Sequence, residues 1–235
     1  MKGDLGMNIS GINAGIIASG SGTDANAVMN AYNIGFIPEI TDLRLISTKS
    51  GAGCLAKAEI QKIKSAVIEC RNKEEVPDFN RRLKQYVTEN HIQLIILAGC
   101  VWELYPIEGV LMINIHPADT QKHGGRHMYG LKVHERVLTD IMDIIYREIK
   151  NPEDDFETCV TIHEVGFPID QGPIILKANV KIPRDIVIGL HRGSLSLKDA
   201  SANLQKHILE YEWILLPAGV RAAARKIIDE TRQGL

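Results

Sequence analysis

Short apolar runs alternate with amphipathic stretches through the first half of the chain. The run at Ile12–Ala18 is continuously apolar, which is typical of a strand covered on both faces of a parallel sheet. Further strands are predicted at Leu43–Ser47, Ala66–Glu69, Leu94–Ala98 and Leu111–Ile115. Helical spacing predicts a helix after the first strand, one over Gly53–Lys64 and one that begins near Pro77. This alternation indicates βαβ units, so we predict an α/β fold with an open, doubly wound, mostly parallel sheet and helices on both faces.

The pattern changes in the second half of the chain. A long amphipathic helix is predicted over Gly130–Lys150. Two strands, Thr158–Glu164 and Pro173–Val180, flank the turn-rich segment GFPIDQG and are predicted to pair like a hairpin at one sheet edge. A helix over Lys198–Leu216 and a final helix over Pro217–Thr231 complete the chain.

Charge, cysteine content and hydropathy argue against a nucleic-acid-binding protein, a zinc-binding protein and a membrane protein. A net charge of −2 gives no general basic footprint for nucleic acid. The 4 cysteines form no CxxC pair and lie among small or apolar residues, so we expect buried free thiols. No stretch approaches the roughly 18 apolar residues of a membrane span, and MKGDLGMNISG lacks an apolar signal core. We therefore expect a cytoplasmic protein with small-molecule substrates and neither a nucleic-acid nor a membrane partner.

The turn SGSGT lies between the first strand and the next helix. Gly20 and Gly22 allow a tight bend that aims N–H groups at an anion, and Ser21 and Thr23 add hydroxyl donors beside the positive end of the helix. The turn matches neither GxGxxG nor GxxxxGK[ST], so dinucleotide binding and nucleotide hydrolysis lose support. Asp24 suits a helix start but would compete with a phosphate. The alternative is a plain turn in which Ser21 or Thr23 caps the helix.

Two later motifs carry groups suited to acyl transfer. In NIHP, Asn114 and His116 lie at the carboxyl end of a strand and project to the same side. The amide can stabilise an oxyanion, and the imidazole can move or hold a proton. In IDQGP, Asp170 lies in a loop between strands, where a carboxylate could orient the imidazole and raise its pKa. The alternatives are a structural histidine before Pro117 and an ordinary Asx turn.

The segment HGGRHMYG collects further polar groups, namely His123, Arg126, His127 and Tyr129. Their spacing matches no common zinc pattern, and no cysteine pair is close by in the sequence, so we predict no metal site. We expect instead a polar loop that lines a pocket.

The order SGSGT, LAGCVWEL, INIHP and IDQGPIIL, spread over about Ile12 to Val180, resembles the folate-dependent formyltransferases, the family of glycinamide ribonucleotide formyltransferase. The resemblance implies that Asn114 and His116 stabilise the tetrahedral intermediate formed at the formyl carbon. It implies that Asp170 orients His116 and assists proton movement through water. It also implies 10-formyltetrahydrofolate as the donor, glycinamide ribonucleotide as the preferred acceptor in purine biosynthesis, and a phosphate-binding role for residues 20–24.

The resemblance extends more loosely to other residues. The segment after LAG lines the folate pocket of the family, and a late-helix glutamate contacts the acceptor. These matches imply folate contacts at Trp102, Glu103 and Leu104, and an acceptor contact at Glu210. From its length the chain is expected to be a single domain over residues 11–235, after a disordered tail at residues 1–10. We expect a phosphate-binding half at 11–110 and a catalytic and folate-binding half at 111–235.

Several departures from the family pattern surround the predicted pockets. The family has Asn where this chain has Asp24, and HPADTQKHGGRHMYG lacks the second proline of the family motif. His123, Arg126 and His127 are therefore candidate acceptor contacts that remake this pocket. The alternatives are transfer to another amine such as a nucleotide-linked amino sugar, hydrolysis of the formyl-folate, or folate or nucleotide binding without catalysis. The long helix at 130–150 and the C-terminal helices offer a homodimer face.

Overall fold

The computed structural model describes residues 11–234. They divide into two compact units, the first formed by residues 11–111 with 220–234 and the second by residues 112–219. The predicted tail at residues 1–10 lies outside the described residues. The expectation of a single domain stays a prediction.

Seven strands form a mostly parallel sheet in the order β3-β2-β1-β4-β5-β6-β7. The strands are β1 (Ile12–Ala18), β2 (Ile40–Ser47), β3 (Lys64–Val67), β4 (Ile92–Leu97), β5 (Leu111–His116), β6 (Glu157–Glu164) and β7 (Ile174–Lys181). β1 pairs in parallel with β2 and β4, and β2 with β3, whereas β6 is antiparallel to both β5 and β7. The predicted α/β fold class and the hairpin-like edge pair are confirmed.

The first unit is built around β1 and β4, which are buried along nearly their whole length, as their continuous apolar sequence predicted. Its helices are α1 (Thr23–Asn33), α2 (Gly53–Ile60) and α3 (Val76–Glu89), with a 3-10 turn at Lys73–Glu75. Helix α3 buries Phe79, Leu83 and Val87, which are spaced along one helical face. Strand β2 begins earlier than predicted, because Ile40 pairs with Ile12 ahead of the polar residues that concealed the strand start.

The second unit carries α4 (Thr120–His123), α5 (Leu131–Tyr146), α6 (Arg184–His191) and the first part of α7 (Leu197–Gln233). Helix α5 lies within the predicted range and buries Val133, Val137 and Ile141 on one face. Helix α6 was not predicted, because its short apolar run is too brief to show a helical period.

The two predicted C-terminal helices are one helix, since α7 continues through Pro217. A proline inside a helix removes one backbone hydrogen bond and costs about 3 kcal/mol. The neighbouring Leu216 and Val220 are fully buried, and burial of such side chains contributes about 1.5–3 kcal/mol each. Packing on both sides of the proline therefore offsets its cost, which the sequence pattern alone did not reveal.

None of the helices between residues 11 and 234 is long and apolar enough to cross a membrane.

We predict that Gly219→Leu destabilises the protein by about 1–3 kcal/mol, because it overpacks the contact between α7 and β6. A Cβ atom at Gly219 would lie 2.5 Å from Cδ1 and 3.2 Å from Cβ of the fully buried Ile162. Chemical denaturation measures the loss. The control is Asn203→Leu on the exposed side of the same helix, which should change the free energy of unfolding by less than about 0.5 kcal/mol. An unchanged midpoint for Gly219→Leu would contradict this packing.

Candidate active site

The register of β5 against β6 sets the geometry of the candidate site. Asn114 lies opposite His163, and His116 lies opposite Thr161 in this antiparallel pair. Because side chains alternate along a strand, Asn114 and His116 share one face with the two residues across from them. His116 and His163 are fully buried, and the amide nitrogen of Asn114 lies 3.5 Å from Nε2 of His163.

Asp170 reaches the same place from the loop between β6 and β7. Its Oδ2 lies 3.8 Å from Nδ1 of His116, and its Oδ1 lies 3.6 Å from Nε2 of His163. Oδ2 also accepts a hydrogen bond of 2.9 Å from the backbone N–H of Gly125. The carboxylate is buried at 8% exposure. The structure thus brings Asn114, His116 and Asp170 into one cluster, with His163 between the amide and the acid.

Backbone geometry accounts for the placement of Asp170. Its φ of 61° lies in the left-handed region, which aspartate tolerates better than most residues. Gly172 follows where a Cβ would lie 1.9 Å from the carbonyl oxygen of Glu164, so the loop passes too close to β6 for any side chain. The IDQG sequence therefore places an aspartate where the backbone has a positive φ and a glycine where the loop contacts β6.

The hydrogen bonds of His116 determine which nitrogen carries a proton. Nε2 lies 2.9 Å from the main-chain carbonyl oxygen of His123. A carbonyl oxygen only accepts hydrogen bonds, so Nε2 must be the donor and carry the hydrogen. The remaining nitrogen, Nδ1, faces the Asp170 carboxylate. Any proton that His116 gains or releases is therefore exchanged at Nδ1, beside an acid that stabilises the charged ring.

Burial lowers the pKa of His116 below its ordinary value, and the Asp170 carboxylate opposes that shift. The neighbouring rings of His163 and His123 lower the pKa further, because a second positive charge close by is unfavourable. His116 is therefore mostly neutral at pH 7, with a free electron pair on Nδ1. A neutral imidazole next to a carboxylate is suited to accepting a proton and then holding the imidazolium.

Residues 123–125 hold both members of this pair from one side. The carbonyl of His123 binds His116, and the N–H of Gly125 binds Asp170. Between them, a Cβ at Gly124 would lie 2.3 Å from the carbonyl oxygen of Thr120 and 3.0 Å from Cβ of Asp170. Only glycine lets this segment approach the acid so closely.

Two buried histidines near the site were not predicted from the sequence. His163 faces Asn114, and its Nδ1 lies 2.9 Å from the main-chain carbonyl of Glu164, which leaves Nε2 to accept from the amide. Burial, and then the nearby His116, lowers the pKa of His134 on α5 to about 4. In the sequence, Thr161 and His163 are polar residues two positions apart on a predicted strand, so they share one face of it. Only the pairing of that strand with β5 shows that this face lies at the site.

The predicted phosphate turn lies in the first unit. Gly22 is the N-cap residue of α1 with a φ of 67°, and a Cβ there would lie 2.4 Å from Cβ of Cys54. Within residues 11–234, no side chain caps the first turn of α1. The alternative in which Ser21 or Thr23 caps the helix is therefore not seen. The first N–H groups of α1 keep their capacity to bind an anion.

A cavity of about 600 Å³ opens beside this turn. Gly20 and Trp102, predicted for phosphate and folate respectively, line the same cavity, together with Lys49 and Arg71. Lys49 and Arg71 were not predicted, because they follow separate strands and only the parallel register brings them together. Hydrogen bonding from Ser50 and then Arg71 lowers the pKa of Glu69, another lining residue, to about 2.

Asp24 does not line this cavity, as judged from the described part of the chain. Burial raises the pKa of Asp24 to about 6, although the charge of Lys57 on α2 opposes the shift. Its Oδ1 atom is buried without a hydrogen-bond partner among residues 11–234. A role for Asp24 in phosphate binding stays a prediction.

The other predicted site residues are scattered. Leu104 is buried, and the carbonyl of Glu103 accepts a hydrogen bond from Asn80. The candidate acceptor contacts Arg126, His127 and Glu210 have exposed side chains. Their ligand contacts stay predictions.

Neither metal ligation nor a disulfide is seen in the described residues. Between residues 11 and 234, no group of three or more His, Cys, Asp or Glu side chains is arranged to hold a metal ion. The cysteines Cys54, Cys70, Cys100 and Cys159 are free, and burial raises the pKa of Cys100 to about 11.

Comparison with known proteins gives a consistent result. Residues 13–188 match the model of the family described as Formyl transferase. The chain is 28% identical over 178 residues to the phosphoribosylglycinamide formyltransferase of Haemophilus influenzae, covering 73% of this chain and 74% of that protein. It superposes on glycinamide ribonucleotide transformylase 1 from Symbiobacterium toebii with a TM-score of 0.68 at 22% identity, covering 92% of this chain and 89% of the other, which shows the shared fold. Phosphoribosylglycinamide formyltransferase from Bacillus halodurans has a TM-score of 0.62 at 26% identity and coverages of 89% and 93%.

We predict that His134 makes the protein less stable in acid. The pKa of His134 in the folded protein, about 4, lies below its ordinary value of 6.5. Between pH 6.5 and pH 4, His134 therefore becomes protonated in the unfolded chain but stays mostly neutral in the folded protein, which favours unfolding. This loss reaches about 3 kcal/mol near pH 4, at about 1.4 kcal/mol per pH unit. His134→Leu should therefore lose less stability than the native protein between pH 6.5 and 4, as measured by urea unfolding.

The matched control is His91→Asn at an exposed turn position with φ of 51°, where asparagine is also tolerated. This variant should keep the native pH dependence. Parallel stability curves for the native protein and His134→Leu would contradict the assignment.

Proposed function

Since the chain belongs to the formyl transferase family, we propose that it transfers a formyl group from 10-formyltetrahydrofolate to the primary amine of glycinamide ribonucleotide. The observation that carries the proposal is the convergence of Asn114, His116 and Asp170 in one buried cluster of the second unit. An amide donor, a neutral imidazole and a carboxylate are the groups that transfer of an acyl group between two amines requires.

Asn114 stabilises the oxyanion in this mechanism. The acceptor nitrogen attacks the formyl carbon, and the carbonyl oxygen takes up negative charge. One amide hydrogen of Asn114 is directed to His163, so the second remains available for that oxygen. Because the His163 contact fixes the amide orientation before substrate binds, little reorganisation is needed during the reaction.

The His116–Asp170 pair handles the proton. The attacking amine becomes positively charged as its bond to the formyl carbon forms. His116 Nδ1 accepts that proton through water, and Asp170 stabilises the imidazolium. The positive ring also favours the oxyanion. The bond from the formyl carbon to the folate nitrogen then breaks, and that nitrogen takes a proton, which returns His116 to its neutral state.

The first unit supports a phosphorylated acceptor. The N-terminus of α1 carries uncapped N–H groups, and Lys49 adds positive charge to the adjacent cavity, where Arg71 is paired with the Glu69 carboxylate. Trp102 borders the same cavity and offers a flat apolar surface suited to a folate ring. These features favour a substrate with a phosphate and a donor with an aromatic ring system.

The decisive experiment combines the purified protein with 10-formyltetrahydrofolate and glycinamide ribonucleotide. Release of tetrahydrofolate and formation of the formylated amine should both require the amine. Formate release without the amine would identify a hydrolase instead. Folate binding without turnover on this amine, or on a nucleotide-linked amino sugar, would reject the proposal in favour of a binding protein.

We predict that His116→Ala lowers kcat by about 10²- to 10⁴-fold, because the proton acceptor is removed. Asn114→Ala should lower kcat by about 10²- to 10³-fold through loss of the oxyanion donor. The control is His207→Ala, whose half-buried ring contacts the main-chain carbonyl of Lys181. Steady-state kinetics measure all three variants. Native turnover in His116→Ala would remove His116 from the mechanism.

We predict that Lys49→Ala raises KM for the phosphorylated acceptor several-fold and leaves kcat nearly unchanged, because the charge binds ground and transition states alike. KM for the donor should stay constant. Lys73→Ala, an exposed lysine away from the cavity lining, serves as the control. A KM for the acceptor equal to that of the native protein would exclude Lys49 from phosphate binding.

A further inference from the structure

His123 is tied to helix α5 through a side-chain hydrogen bond. Its Nε2 lies 3.0 Å from Oδ2 of Asp140, whose other oxygen lies 3.2 Å from Nε of Arg136. The His123 side chain is only 12% exposed. Its Nδ1 is buried and has no hydrogen-bond partner among residues 11–234. A hydrogen on Nδ1 would therefore be unsatisfied, so the neutral ring carries its hydrogen on Nε2 and donates it to Asp140.

The same residue contacts the candidate catalytic histidine through its backbone. The carbonyl of His123 accepts the hydrogen of His116 Nε2 at 2.9 Å. One residue thus joins an anchor on α5 to the atom that determines the tautomer of His116.

We propose that the His123–Asp140 pair is a positioning element for the reaction: it holds the His123 carbonyl against His116 and so confines proton exchange to Nδ1, opposite Asp170. This inference rests on the proposed function for its kinetic consequence, but not for its structural one. Without the anchor, the end of α4 at His123 can shift and the carbonyl leaves Nε2, because the contacts of Lys177 and Gln171 hold only the start of this helix, at Asp119 and Thr120. His116 is then free to place its hydrogen on Nδ1 toward Asp170, which removes the electron pair that accepts the substrate proton.

The charged and titratable groups around this pair come from several elements. Asp170 and His163 face His116 from the β6–β7 loop and from β6, and His134 faces it from α5. These groups are retained when Asp140 is replaced. A change in His116 after that replacement therefore reports on the anchor.

The test replaces Asp140 by alanine, which removes the acceptor, and by asparagine, which keeps an oxygen that can accept from His123. Asp140 is 39% exposed at its side chain, so both variants should fold. The control is Asp143→Ala, which removes an exposed carboxylate from the same helix. Nitrogen-15 NMR of the histidine rings reports the tautomer of His116, and steady-state kinetics report kcat and both KM values.

In Asp140→Ala we expect kcat to fall by about 10- to 100-fold with both KM values within about twofold of native, since misplacement of a reacting group acts on the transition state. The His116 spectrum should change from Nε2-protonated to a mixture. Asp140→Asn should restore most of both properties, and Asp143→Ala should match the native protein.

An Asp140→Ala protein with a native His116 spectrum would overturn the proposal, whatever its activity. Failure of the proposed function is distinguishable, because a native protein that transfers no formyl group to any amine can still show the tautomer change.

Discussion

The hydrogen bond from His116 Nε2 to the carbonyl of His123 is the interaction on which the site depends. It fixes the hydrogen on one nitrogen and leaves the other facing Asp170. A main-chain carbonyl is an effective partner because it accepts and never donates, so it permits one tautomer alone.

Burial explains both the chemistry and the constraints of this cluster. Taking imidazole and carboxylate groups out of water is costly unless each finds a partner. Asp170 accepts a hydrogen bond from the N–H of Gly125, and the loop adopts left-handed geometry to bring it beside the two imidazoles, which it stabilises when they are protonated. The same burial lowers the pKa of His116, so the ring is a proton acceptor at neutral pH. Burial thus accounts both for the placement of Asp170 and for the lowered pKa of His116.

The segment between β5 and α5 lacks the second proline of the family motif, and its short helix is secured by several interactions. Lys177 pairs with Asp119 at 2.9 Å, and the side chain of Gln171 donates to the carbonyl of Thr120 at 3.1 Å. These contacts, together with the hydrogen bond of His123 to Asp140, hold the segment that carries the His123 carbonyl and the Gly125 N–H. The departures therefore bear on how the site is held more than on which groups it contains.

The sequence alone determined the fold class and most strand positions, because buried strands leave local signals in residue order. It also predicted Asn114, His116 and Asp170 as site residues, because they stand in motifs at a strand end and in a loop, and the structure brings the three together. It could not reveal His163 or the Lys49–Arg71 pair, since those depend on which strands become neighbours and in what register. It misplaced the end of a helix at Pro217, where the cost of a proline is local but the compensating burial is tertiary. Only the folded structure decided the proton position on His116, because a carbonyl from a different segment sets it.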